Sequence, residues 1–116
     1  MKKQKHVVVI GGGASGIVAA ISAKRNGADV TLLERNSRVG KKILATGNGR
    51  CNLTNINSDI SFYNGQNPKF IYSTFGQFGI QETLSFFEKL GIEYKVEANG
   101  KVFPMSDQSS SVLDVL

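Results

Sequence analysis

Between His6 and Glu34 the chain reads HVVVIGGGASGIVAAISAKRNGADVTLLE, and the order of residue types leaves few folds open. Val7 to Ile10 form an uninterrupted β-branched run, suited to a parallel strand buried on both faces. The run meets a Gly-x-Gly-x-x-Gly turn in which each glycine has its own steric use. Gly11 allows the tight turn, Gly13 lets the backbone approach a pyrophosphate, and Gly16 lets the next helix pack closely on the strand. From Ala14 the apolar period becomes helical, with Ile17, Ala20 and Ile21 beside Ala19 and Ala23, until Gly27 supplies a left-handed stop. The N–H groups of Ala14, Ser15 and Gly16 then point at phosphate oxygens from a helix N-terminus. Asp29 to Leu33 read as a second parallel strand, and Glu34 at its carboxyl end is placed to accept both hydroxyl protons of an adenosine ribose. Its charge disfavours a 2′-phosphate. The stretch predicts an α/β, Rossmann-like dinucleotide-binding unit, the N-terminal portion of a doubly wound parallel sheet.

A secretory signal is the rival reading of the same residues, because lysines and a histidine precede an uncharged run. Three consecutive glycines make a poor signal helix, no small-x-small cleavage site follows, and Glu34 is left unexplained. The run is too short for a membrane span. The single cysteine excludes an intrachain disulfide and, with no targeting signal, fits a reducing cytoplasm. The net charge of +5 raises the question of nucleic acid. Arg35, Arg38, Lys41, Lys42 and Arg50, however, lie where a pyrophosphate needs neutralising, and Lys2, Lys3 and Lys5 read as a solvated terminus. The ten aromatics all follow residue 61, away from the densest positive charge, so stacking on bases is not indicated. The sequence predicts no nucleic-acid partner, no membrane and no metal site; His6 reads as a polar flank.

At 116 residues the chain reads as one domain or part of one. Ser106 to Leu116 begins like a capped helix, with Ser106 at the N-cap and Asp107 in the first turn, then stops at Val112, Leu113, Val115 and Leu116 without a closing residue. An apolar helix face left hanging, and two parallel strands in want of neighbours, predict the N-terminal piece of a longer protein whose remainder is a partner of this chain. Within it, residues 1–35 form the βαβ unit, 36–60 a loop that returns along the cofactor, and 61–116 a helix, a β-hairpin and the start of a further helix. In the last region Ile80, Leu84 and Phe87 share a helical face that Gly91 terminates. Tyr94 to Glu97 and Lys101 to Phe103 flank Asn99-Gly100, a two-residue hairpin signal. Core packing explains the aromatics here more simply than a substrate pocket does.

Residues 38–55, RVGKKILATGNGRCNLTN, stand where a nicotinamide-binding fold ordinarily starts its second crossover helix. Gly40 permits close approach, Lys41 or Lys42 can offset phosphate charge, and the N–H groups of Thr46 to Gly49 can hydrogen-bond a second ring system. The combination of GGGASG, LLER, VGKKILATGNGRCNLTN and KVFPMSDQSSSVLDVL resembles the BaiN-like, aminoacetone-oxidase-like family of bacterial flavoproteins, over nearly the whole chain. Relatives in the wider group of two-dinucleotide-domain flavoproteins usually carry paired glycines after the ribose carboxylate, where this chain has Val39-Gly40.

The resemblance implies an FAD-binding Rossmann domain interrupted, in proteins several times longer, by a second domain that covers the flavin. It places Gly11, Gly13, Ala14, Ser15 and Gly16 on the pyrophosphate, Glu34 on the ribose and Arg35 beside the adenosine. Gly40, Lys41 and Lys42 continue toward the phosphates, and Gly47, Asn48, Gly49, Arg50, Cys51 and Asn52 approach the flavin. Arg50 has two readings of equal weight: a cation that stabilises reduced flavin, or a salt bridge that clamps the backbone. Its charge would favour a Cys51 thiolate, though a lone cysteine is more often a packing residue. Asn48, Asn52 and Asn55 suit flavin oxygens or ordinary turns. The function implied is an FAD-dependent oxidoreductase, with NAD(P)H as reductant and a small organic acceptor such as a conjugated enone, or an amine oxidised at the expense of oxygen. The 116 residues alone would be inactive. The alternatives are an NAD(P)-binding dehydrogenase domain and a non-catalytic nucleotide-binding module.

Overall fold

The computed structural model describes residues 2–116. Strand β1 (His6–Ile10), helix α1 (Ala14–Arg25) and strand β2 (Asp29–Leu33) open the chain. The strands pair in parallel from His6 opposite Asp29 to Ile10 opposite Leu33. Helix α1 is closed by the motif its glycine predicts: Gly27 has φ +86°, its N–H donates to the Lys24 carbonyl, and Ala28 N–H donates to that of Ala23.

A 3-10 segment, Lys41–Gly49, follows and is kinked at Thr46–Asn48. Beyond it lie β3 (Thr54–Asn55), helices α2 (Ile71–Gln77) and α3 (Ile80–Lys89), strands β4 (Tyr94–Val96) and β5 (Lys101–Pro104), and helix α4 (Ser109–Val115). The three short strands make a second, antiparallel sheet in the order β3-β5-β4. Helix α3 starts where the Glu82 carboxylate accepts the Gly79 N–H at 3.0 Å, one half of a capping box. Among the described residues no helix is long and apolar enough to cross a membrane.

The core joins α1, the 3-10 segment and α4: Ile17, Ile43, Cys51, Ile92, Val112 and Leu113 are buried together. Each such aliphatic side chain contributes about 1.5–3 kcal/mol by leaving water.

Several expectations change. The β1–β2 pair is not buried on both faces. Helix α1 packs on it, yet Val8 (53% exposed), Ile10 (85%) and Leu33 (51%) stand open. The apolar face of the last helix is not left hanging, because Val112 and Leu113 enter the core. That helix begins at Ser109, not after Ser106. Asp107 lies in the left-handed region, φ +55°, which no helical first turn allows, and the Ser106 hydroxyl instead accepts the Gln108 N–H at 3.2 Å. The hairpin loop is also longer than two residues. Glu97 N–H bonds to Lys101 O, and Gly100 N–H to Glu97 O. Of the turn residues only Gly100 has positive φ, whereas a two-residue type I′ turn needs two. Helix α2 is an element the sequence pattern did not reveal.

Candidate functional site

The site begins where β1 and β2 end. Gly11 turns left-handed, φ +100°, and a methyl on Gly16 would penetrate the Gly11 carbonyl oxygen, so helix and strand approach as closely as two backbones can. A side chain on Gly13 would meet nothing within 4 Å; Gly13, Ala14 and Ser15 face open space at the helix start. Beside them an open cleft of about 440 Å³ is lined by Ile10, Gly11, Leu33, Glu34 and Arg35.

Glu34 links the second strand to the glycine turn. Its Oε2 accepts the Gly12 N–H at 2.8 Å, and its Oε1 accepts both the backbone N–H and the side-chain amide of Asn36, at 3.1 and 3.2 Å. The Asn36 N–H foremost, then that of Gly12, hold the carboxyl below its ordinary value. A carboxylate has about four acceptor positions; three are filled, which leaves capacity toward the cleft. Gly12 was absent from the sequence-predicted set, although a third glycine inside the motif was the available signal. A side chain there would lie 2.8 Å from a Val39 methyl and 3.1 Å from Glu34 Oε2.

The chain then returns to the turn. Gly40 N–H donates to the Gly12 carbonyl at 2.6 Å, and Gly40 is buried against Leu113, whose side chain occupies the place of a Cβ. Its need for glycine is therefore met inside the protein. Arg35, Arg38, Lys41 and Lys42 are exposed and make no ion pair among the described residues.

Past the kink the backbone is left-handed at Gly47, Asn48, Gly49 and Cys51. Arg50, between them, has its guanidinium 3.8 Å from the centre of the Phe103 ring. Its Nε and Nη2 donate to Asp107 Oδ1 at 2.8 and 2.7 Å, and its Nη1 to Glu97 Oε1 at 3.0 Å. These hydrogen bonds, Glu97 first, raise its pKa further. Lys95 bonds the other oxygen of Asp107, whose carboxyl is held down by Lys95 first and Arg50 second. Glu97, Asp107 and Lys95 were not among the predicted residues; no local pattern connects them to Arg50.

Of the two readings of Cys51, packing residue and thiolate, the surroundings suit the first. It is buried in the core, and burial pushes its thiol up, a hydrogen bond with Thr46 being the smaller, opposing effect. The Asn52 side chain spans two strands: with its amide turned to satisfy the surrounding carbonyls, its nitrogen donates to Thr54 O at 2.8 Å and Val102 O at 3.1 Å. Asn55 makes ordinary turn contacts: its Oδ1 accepts the Asn57 N–H at 2.9 Å. Asn48 is exposed at the left-handed bend. Among the described residues no group of three or more His, Cys, Asp or Glu could hold a metal ion.

A parallel strand pair joined through a glycine turn and helix, with a carboxylate at the end of the second strand, defines a Rossmann-type nucleotide-binding domain. The model of the HI0933-like protein Rossmann domain matches residues 5–116, and the chain belongs to that family. It is 54% identical over 113 residues to the 3-dehydro-bile acid delta(4,6)-reductase of Clostridium scindens, covering 96% of this chain and 27% of that protein. It is 32% identical over 109 residues to the ribosomal RNA dihydrouridine synthase of Escherichia coli, 94% of this chain and 27% of the relative. The Haemophilus influenzae protein of the same name is 31% identical over 103 residues, 89% and 26%. The chain thus spans about a quarter of the length of the curated relatives it matches.

Proposed function

We propose that this chain forms the N-terminal, FAD-binding part of a longer flavin-dependent oxidoreductase, working in the cytoplasm with NAD(P)H as reductant, and that its acceptor is a carbon–carbon double bond conjugated to a carbonyl. The observation that carries the proposal is the return of the chain at Gly40. Its bond to Gly12 starts Lys41, Lys42 and the left-handed turn beside the phosphate loop, where a second crossover helix would otherwise begin. A flavin dinucleotide needs such a second wall; a nicotinamide dehydrogenase does not.

The residues fit the group. Gly13, Ala14, Ser15 and Gly16 offer backbone N–H groups at an uncluttered helix start, which suits a pyrophosphate. Glu34 has acceptor capacity for the ribose hydroxyls, Ile10 and Leu33 give the cleft an apolar wall for adenine, and Arg35, Lys41 and Lys42 carry exposed positive charge with no ion pair among the described residues. Bound there, FAD would relay a hydride from NAD(P)H to the acceptor; with one proton, the overall change is enone plus NAD(P)H plus H⁺ to saturated ketone plus NAD(P)⁺. The chain's own part is to bind, orient and neutralise the dinucleotide.

The relatives' names support the acceptor chemistry. A 3-dehydro Δ4,6 bile acid and the uracil ring of uridine both present a double bond conjugated to a carbonyl. The 54% identity favours a small molecule. The two ribosomal RNA relatives favour the second reading, uridine in RNA, against the sequence expectation of no nucleic-acid partner.

The test is the full-length protein purified and examined for colour. A yellow protein that releases FAD on denaturation is expected, and a colourless one that binds NADH but no added FAD overturns the reading. Anaerobic reoxidation of the reduced protein then chooses the acceptor: a steroid dienone for the first reading, uridine-containing ribosomal RNA for the second, and neither if the conjugated double bond is wrong.

A further inference from the structure

Among the described residues three other than glycine have left-handed backbone: Asn48 at φ 54°, Cys51 at 60° and Asp107 at 55°. This conformation carries strain for residues with a Cβ and persists where the surroundings enforce it. The three converge on one guanidinium. Asn48 and Cys51 lie on either side of Arg50 in the chain, and Asp107 is the carboxylate that takes two of its donors.

The same guanidinium is part of a closed unit. Arg50 N–H donates to Gly47 O at 3.1 Å, and Cys51 N–H to Thr46 O at 3.0 Å, which coils the backbone back on itself. Phe103 lies beneath the guanidinium, and its ring edge is 3.1 Å from where a Gly47 Cβ would stand, so ring, turn and cation pack together. Electrostatically the unit is spent: Arg50 and Lys95 face Glu97 and Asp107, two positive charges against two negative. A neutralised cluster is a weak source of field for a nearby ring system.

We infer that Asp107 is a positioning residue for the cofactor-facing turn: through Arg50 it holds residues 46–52 in their left-handed shape. Arg50 transmits that hold and does not present its charge to the flavin. The inference rests on the FAD reading above.

The test uses the full-length protein with Asp107→Asn, which keeps the shape and removes the charge. FAD affinity falls tenfold or more. In the FAD-free protein, hydrogen exchange at the Arg50 and Cys51 amides accelerates while the β1–α1–β2 amides keep their protection. Lys95→Gln, which releases one Asp107 oxygen and leaves Arg50 in place, gives a smaller loss in the same direction. Glu97→Gln leaves the cluster with one net positive charge, and the flavin midpoint potential stays where it is. Wild-type FAD affinity in both Asp107→Asn and Lys95→Gln overturns the inference, as does a potential raised by Glu97→Gln, which would mean that the charge reaches the flavin. If wild-type protein binds no FAD, the flavin reading falls first and this one with it.

Discussion

The two regions that build the candidate site hold their shape by opposite means. From His6 to Glu34 the backbone does the work. Gly11 and Gly16 let strand and helix touch, Gly12 N–H donates to the Glu34 carboxylate, and three of the five residues in each strand are exposed. From Lys41 to Asn55 side chains do it. Arg50, Asp107, Glu97, Lys95 and Phe103 enclose a turn whose backbone is strained at Asn48 and Cys51. A nucleotide phosphate asks for N–H groups and room, which glycine supplies by having no side chain. A loop bent against its preference needs contacts from elsewhere in the chain to keep it bent.

Gly16 gives the widest break, because stability and nucleotide binding are expected to go together there. Gly16→Ala drives a methyl into the Gly11 carbonyl, backbone against backbone with no side chain to yield. A loss on the order of 3 kcal/mol, the upper end for overpacking, is expected in chemical denaturation, with nucleotide binding abolished. A variant as stable as wild type would mean that strand and helix are not in contact there.

Ile43→Ala acts where the two regions share a core. The residue is 5% exposed and buried beside Ile17 and Leu113, so a cost of about 2–5 kcal/mol follows from lost burial and the cavity left behind. The loss should appear in one cooperative transition. Two separate transitions would show that the regions unfold independently.

Acid gives the smallest effect and distinguishes the regions by residue. The folded pKa of both Glu34 and Asp107 lies below the ordinary carboxylate value. Their contributions are therefore complete above about pH 4, the unfolded value, and disappear as pH falls through the lower folded values. Thermal melts between pH 3 and 6 should show the midpoint falling at the acid end, less steeply for Asp107→Asn than for wild type. Parallel curves would remove Asp107 from the clamp.

What the sequence revealed follows the same division. The roles of Gly11 and Gly16, the start of α1 and its stop at Gly27 are local steric facts, legible within a few residues. Gly12 could be inferred only from the third glycine in the run. Arg50 could be recognised as a clamp or a tuning cation but not assigned, because its partners lie 47 and 57 residues away and no period links them. The start of α4 was misread for the same reason: Asp107 looks like a first-turn carboxylate until its backbone is seen to be left-handed. Exposure of Val8 and Ile10 was illegible as well, since a β-branched run records a preference for burial and says nothing about which neighbours are present.

The separations also set an order of assembly. Gly12 and Glu34 close a loop of 22 residues, whereas Arg50 and Asp107 close one of 57. The longer closure costs about 0.8 kcal/mol more chain entropy, and during synthesis it waits until residue 107 has left the ribosome. The glycine turn can thus form on the nascent chain while the turn after Thr46 is still free to straighten. The two regions take shape one after the other.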